Sequence, residues 1–390
     1  MFGTKEKRIK IANILFYIAL AIELVLMIVE KSELNVPFES HVFRVTFLLT
    51  LFATILIPRD KWQWAAIAVV TILCFASYEI TGRNELLRFA VFVMAAKEIN
   101  LEKTMKAMFY TLVAGFTAIA ILSVFGILGK VQMLTDYGRE AGEEVRYVLG
   151  FGHPNTLWGC FFAVMLLWIW LYGKRAKVGE FIILALVNVG LYKITVSRTA
   201  FLIGMMTVVI TLIVRYVPKV SEKKLPYVLS TVVTPVFCVA FSIWAAKESY
   251  ISRYYRGTTY YNFVNKLDEL LNNRMHNLYR SNYRHAGALE TWKLFSDNVS
   301  SEYFDMGWVR LFYWYGIIPA ALACILVAIM IYICYRKKDA WTLILILSLS
   351  IYTIVEATFV SVYIGRNFML PIVGVYLGSF LERKKDVANS

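Results

Sequence analysis

Residues 321–352 read ALACILVAIMIYICYRKKDAWTLILILSLSIY. No charge occurs between Ala321 and Tyr335, three basic residues follow at Arg336, Lys337 and Lys338, and a second uncharged run starts at Ala340. A hydrocarbon layer about 30 Å thick is crossed by roughly 20 mainly apolar residues, and a helix satisfies its own backbone there. Followed outward, the two runs extend over 306–335 and 340–358. Two such runs joined by a tight basic turn read as a membrane hairpin with its turn in the cytoplasm.

The same reading applies to the rest of the chain. Further apolar runs lie near 9–29, 40–58, 62–80, 84–100, 105–128, 154–173, 178–194, 198–216, 226–247 and 367–382, giving about twelve expected spans. The composition agrees: 59% of the 390 residues are hydrophobic and the mean hydropathy is +0.60, well above a soluble domain. No small-residue cleavage site follows the first run, so an anchor is expected and not a cleaved signal. The expected fold is an all-α polytopic helical bundle forming a single domain over 1–390. One large extracytoplasmic loop, 248–305, is inserted in it and contains short helices.

Lys and Arg collect in alternate loops. One set of loops holds 22 of them and the short loops opposite hold 8. The positive-inside rule then places both termini in the cytoplasm of a multi-pass cell-membrane protein, and an even span number agrees. Much of the +14 net charge is this signal together with attraction to anionic lipid. The basic residues are spread over seven short loops, which argues against a nucleic-acid partner. All five cysteines fall inside apolar runs, so neither disulfides nor thiolate metal sites are expected.

On this topology every unusual polar feature falls on the outer side. In RYVLGFGHPN (146–155), Pro154 suits a first helical position, which leaves His153 at a helix N-terminus that favours anions. A plain helix-opening turn fits the same residues. Arg146 suits either phosphate binding or snorkelling. Arg198 sits in a turn too short to be mere solvent cover. Asp305 is either a helix N-cap or a functional carboxylate. Arg310 lies inside a span and Glu356 at the end of one, where charges usually face a polar cavity or each other. The loop contains FVNKLDELLN (263–272), with apolar residues at helical spacing, and a second amphipathic helix is expected over 286–295. Its tyrosines suit an interfacial belt or sugar faces. Arg253, Arg256, Arg274, Arg280 and Arg284 offer planar forks for phosphate.

The segments RYVLGFGHPN (146–155), TVSRTAFLIG (195–204), LLNNR (270–274), DMGWVRLFYWYGII (305–318) and EATFVSVYIGRN (356–367) carry a resemblance. In order and spacing the chain resembles the Wzy-type polysaccharide polymerases, within the superfamily that includes the O-antigen ligases. Met306 stands where many relatives carry Asn. The resemblance implies transfer of a polyprenyl-diphosphate-linked glycan onto a lipid-linked repeat unit at the outer face; the sequence has no Asp-rich metal motif, so a metal-independent transfer without cofactor is expected. It implies lipid-linked oligosaccharide and membrane lipid as partners, with flippase and chain-length-regulator proteins. The catalytic set expected is His153, Arg146, Arg198, Arg274 and Asp305. Substrate contacts are expected from Gly150, Asn155, Arg280, Arg284, Glu356, Arg366 and Asn367. The proton acceptor is His153, Asp305 or Glu356. A ligase with another acceptor and a flippase of lipid-linked sugars share many of these features.

Overall fold

A computed structural model describes residues 4–34, 36–135, 144–251, 255–280, 287–296, 304–357 and 360–382. The helices are α1 (Lys5–Lys31), α2 (Glu39–Leu56), α3 (Lys61–Thr81), α4 (Glu85–Ala95), α5 (Leu101–Val124), α6 (Pro154–Tyr172), α7 (Val178–Thr195) and α8 (Arg198–Tyr216). They continue with α9 (Leu225–Glu248), α10 (Thr259–Leu270), α11 (Arg274–Arg280), α12 (Gly307–Tyr315), α13 (Ile317–Lys337), α14 (Ala340–Val355) and α15 (Met369–Phe380). Strands β1 (Gln132–Thr135) and β2 (Glu144–Tyr147) form an antiparallel hairpin. Among the described residues, nine helices are long and apolar enough to cross a membrane: α1, α2, α3, α5, α6, α7, α8, α9 and α13. The helices α14 and α15 are apolar but shorter. The protein is a helical, multi-pass membrane protein.

Two compact units form, one from residues 1–27, 36–108 and 362–390, the other from 28–35 and 109–361. In the first, α4 packs against α2, α3 and α15, and Phe16 and Phe92 meet with ring centroids 4.9 Å apart. The apolar run 84–100 yields only the eleven-residue α4, which closes where the Ala96 amide donates to the Val93 carbonyl, and Asn100 opens the next helix by accepting from the Lys103 amide at 3.0 Å. Arg88 of that run is buried against Glu23 of α1 at 3.3 Å and over the Phe43 ring. Thr46 donates to the same Glu23 carboxylate at 2.5 Å. A buried charge needs such partners to persist.

In the second unit α14 is the centre, packed by α6, α8, α9, α12 and α13. Most of its side chains are buried. Its hydroxyls and carbonyls are used: Thr207 donates to Ser348 at 3.0 Å, Trp170 to Thr342 at 3.0 Å and Trp308 to the Ser350 carbonyl at 2.9 Å. Trp158 and Phe162 of α6 close on Tyr352 of α14, with centroids 5.3 and 5.1 Å away. That contact fixes the start of α6 beside the end of α14. Helix α9 carries Pro235 in its middle, and the turns around it widen to π geometry over Val232–Cys238, as a missing N–H and a ring clash require.

Three expectations are corrected. The run 306–335 is not one continuous helix but two, α12 and α13, broken at Gly316 (φ +100°). A Cβ there would lie 2.5 Å from the Leu294 carbonyl oxygen and from the Phe295 Cα, so the break is built from backbone against backbone. The helix expected over 286–295 is, among residues 287–296, only a single 3-10 turn, Leu289–Thr291. The indole of Trp292 there stacks on Phe312 at 4.9 Å, which holds that stretch open. The hairpin β1–β2 was not expected in an all-α chain.

Candidate functional site

The site is built at one end of the second unit, where β2, the start of α6, the loop helices and the end of α14 meet. In β2, alternation turns Val145 and Tyr147 outward and leaves Arg146 3% exposed. Successive strand residues face opposite sides, so Glu144 shares the Arg146 face and accepts from its Nη2 at 2.6 Å. The chain then turns through Gly150 (φ +82°) and reaches His153.

His153 is the N-cap of α6, and its Nδ1 accepts from the Asn155 amide at 3.2 Å. A neutral imidazole has one donor and one acceptor nitrogen. With Nδ1 accepting, the ring proton lies on Nε2. Burial pulls the His153 pKa below its ordinary value, Asp305 acts the other way, and Arg274 and Arg146 add to the lowering. The ring is therefore neutral near pH 7, with its proton on Nε2. The Asn155 side chain accepts from Ser197 at 2.8 Å, tying the α6 start to the turn between α7 and α8.

Arg274 is thrown into the same place by an unusual turn. After α10, Asn272 and Asn273 both take left-handed backbone angles (φ 56° and 59°), which Asn tolerates better than most residues. The buried carboxylate of Asp268 accepts from the Met275 amide at 2.7 Å and the His276 amide at 3.1 Å. It thereby satisfies two open donors of α11. Val264, Met275, Leu278, Phe304 and Met306 pack with Ala245 and Ala246 of α9 beneath this turn.

The guanidinium so delivered is 6% exposed. Its Nη2 meets Glu356 at 2.6 Å and its Nε meets Asp305 at 3.4 Å. Burial opposes the charge on Arg274, but the carboxylates of Glu356 and Asp305 outweigh it and raise its pKa. Asp305 does not cap α12: the N-cap is Met306, without a side-chain hydrogen bond. Gly307 lets α12 approach the end of α14, since a Cβ there would lie 2.7 Å from the Glu356 carbonyl oxygen. Glu356 follows the last residue of α14. Burial pushes its pKa up to about 7; Arg274 pulls it down, Asp305 pushes it up, and Lys31 pulls down weakly.

The structure thus brings together Arg146, Gly150, His153, Asn155, Arg274, Asp305 and Glu356. Arg198 opens α8 beside Ser197, but its side chain is exposed and has no hydrogen bond or ion pair among the described residues. Arg280 is exposed at the end of α11, and Arg284 lies outside the described residues. Arg366 and Asn367 belong to the first unit, where Arg366 sits over the Tyr363 ring and Asn367 accepts from the Met369 amide at 3.2 Å. Sequence reasoning passed over Glu144, Asp268, Tyr352 and Lys31. Tyr352, one turn before Glu356 on α14, also acts on Arg274, and its i, i+4 spacing from Glu356 was the available signal. No family model, curated protein or solved structure matches the chain.

Proposed function

We propose that the protein is a glycosyltransferase of the membrane, a polymerase that moves a polyprenyl-diphosphate-linked glycan onto a lipid-linked repeat unit. The observation that supports it most is the buried Arg274, held by carboxylates from two distant parts of the chain with His153 and Arg146 beside it. A fixed guanidinium with a neutral imidazole N–H suits an anionic diphosphate. In the proposed step the acceptor sugar hydroxyl attacks the anomeric carbon. The bond from that carbon to the diphosphate oxygen breaks, and the hydroxyl proton passes to Glu356. Arg274, Arg146 and the His153 Nε2–H hold the departing polyprenyl diphosphate.

Glu356 starts on Arg274. A diphosphate that takes the guanidinium frees the carboxylate and removes the charge that lowers its proton affinity. Substrate binding would therefore switch on the base. His153 is the donor in this scheme and not the base, because its Nδ1 is taken by the helix cap. Arg198 and Arg280, both exposed, are placed to meet the glycan or lipid only after it arrives.

The proposed setting is the cell membrane, with about twelve crossings once α4, α14 and α15 are counted with the longer helices and α12 is taken as the outer part of the α13 crossing. Both termini lie in the cytoplasm and the site faces outward. In the second unit, Lys174, Arg175, Lys177, Arg215, Lys223 and Arg336 gather at the helix ends opposite the site, which supports this orientation. With the native cysteines replaced, Glu269→Cys is expected to react with an impermeant thiol reagent on intact cells, and Lys223→Cys only after the membrane is opened. The reverse pattern would reject the orientation.

Purified protein given polyprenyl-diphosphate-linked repeat units is expected to produce a ladder of products on a gel. Movement of intact repeat units across vesicles without any ladder would favour a flippase instead. Among the described residues, the Glu23–Arg88 pair buried among the apolar helices of the first unit speaks for transport.

A further inference from the structure

Helix α10 has a second surface that the proposed chemistry does not use. Val264 and Asp268 face the protein core, while Tyr260, Phe263 and Leu270 are 43, 58 and 69% exposed. With the half-buried Leu267 they recur at spacings of three, four and three, one stripe along the helix. Soluble surfaces seldom carry such a row without a partner.

The stripe is continuous with the exposed apolar surface of the membrane-length α9. Phe263 lies 6.3 Å from Trp244, Trp244 lies 5.7 Å from Phe241, and Phe241 lies 6.2 Å from Phe237. The last three sit on one face of the membrane-length α9, where Val232, Val236 and Phe237 are all more than half exposed. An aromatic ladder thus climbs α9 and steps onto α10 without a gap. Exposed Arg256 and Lys266 flank the stripe, and cations at that level fit lipid phosphates. Glu269 is engaged by Asn265 at 2.6 Å.

We propose that α10 is an interfacial helix. It lies in the plane of the membrane with Tyr260, Phe263, Leu267 and Leu270 sunk into the leaflet at the site end of the second unit, its occupant being lipid. This goes beyond the polymerase reading and does not depend on it. Its consequence is a depth gauge. Arg274 stands four residues after the end of α10, so an α10 seated in the leaflet holds that guanidinium at the level of the lipid phosphates.

The test uses the full chain, cysteine-free, in nanodiscs holding one copy each. Nitroxides are placed through Tyr260→Cys, Phe263→Cys and Leu270→Cys, and through Asn262→Cys, Lys266→Cys and Glu269→Cys. The first three are expected to collide with oxygen several-fold more than with a water-soluble nickel chelate, and the other three the reverse. Nickel dominating at all six sites would place the stripe in water and overturn the proposal. Shielding of the first three from both agents would mean a protein cover and would overturn it too. Where a labelled variant fails to fold, the native chain is photolabelled with a diazirine lipid. Modification within Tyr260–Leu270 supports the proposal, and its absence there alongside modification of α9 overturns it.

Discussion

Arg274→Ala is expected to end polymer formation and to lower the amount of folded protein in the membrane. The two effects have different causes. Loss of one fixed donor to a developing anion costs roughly 10²–10³ in rate. Loss of the guanidinium also leaves Glu356 beside Asp305 without its counter-ion, and breaking a buried ion pair costs about 3–5 kcal/mol. Asp305 is partly exposed, so most of that falls on Glu356. The double variant Arg274→Ala/Glu356→Gln, set against Glu356→Gln alone, separates the effects. It removes the stranded charge, so its melting temperature and abundance should recover while the ladder stays absent. Arg274→Lys should fold and perform poorly, because an ammonium cannot present two parallel N–H groups. A double variant that builds polymer at the parent rate would take Arg274 out of the chemistry.

The second large effect is on pH dependence. A general base works only when deprotonated, so the rate rises with pH through its pKa. Glu356 is pushed up to about 7 by burial in the free protein, which predicts a limb centred near 7 in the wild-type rate profile at limiting substrate, where the free enzyme titrates. His153 is pulled below its ordinary value of 6.5, so a base there would place the limb lower. Glu356→Gln should lose about 10²–10⁴ in rate together with the limb. His153→Gln should keep the limb and part of the activity, since an amide N–H can replace the Nε2–H, while His153→Ala should lose both donor and helix cap. A limb below 6.5 that survives in Glu356→Gln would return the base to His153.

Much of the membrane architecture was legible because span length is a hard physical requirement. The runs 154–173, 178–194 and 198–216 became α6, α7 and α8 nearly residue for residue. The break inside the run 306–335 was not legible because hydropathy counts side chains and is blind to a left-handed glycine; the α12–α13 joint depends on Gly316 meeting the Leu294 backbone. The hairpin was missed because its strands have four residues each, too few for alternation to stand out, yet it is what buries Arg146. Arg274 and Asp305 were marked by residue type. Their partnership was not, because it arises from the Asn272–Asn273 turn and from Asp268, a charged residue that looks like ordinary helix surface. Arg198 was marked because its turn is short, and the α8 start leaves it exposed.

The length of α14 has a further consequence. It has 16 residues against 21 in α13, and the two leave the same basic turn at Lys338–Asp339. At about 1.5 Å per residue, α14 stops about 7.5 Å short of the level where α13 begins. Glu356 therefore stands on a floor below the rim of the bundle. An activated glycosyl group has two competitors for it, the acceptor sugar and water. A recess with little room for bulk solvent favours the partner that brings its own binding contacts. Under the proposed reaction, chain extension would then outpace hydrolysis, and few chains would be shed as free glycan before they are complete.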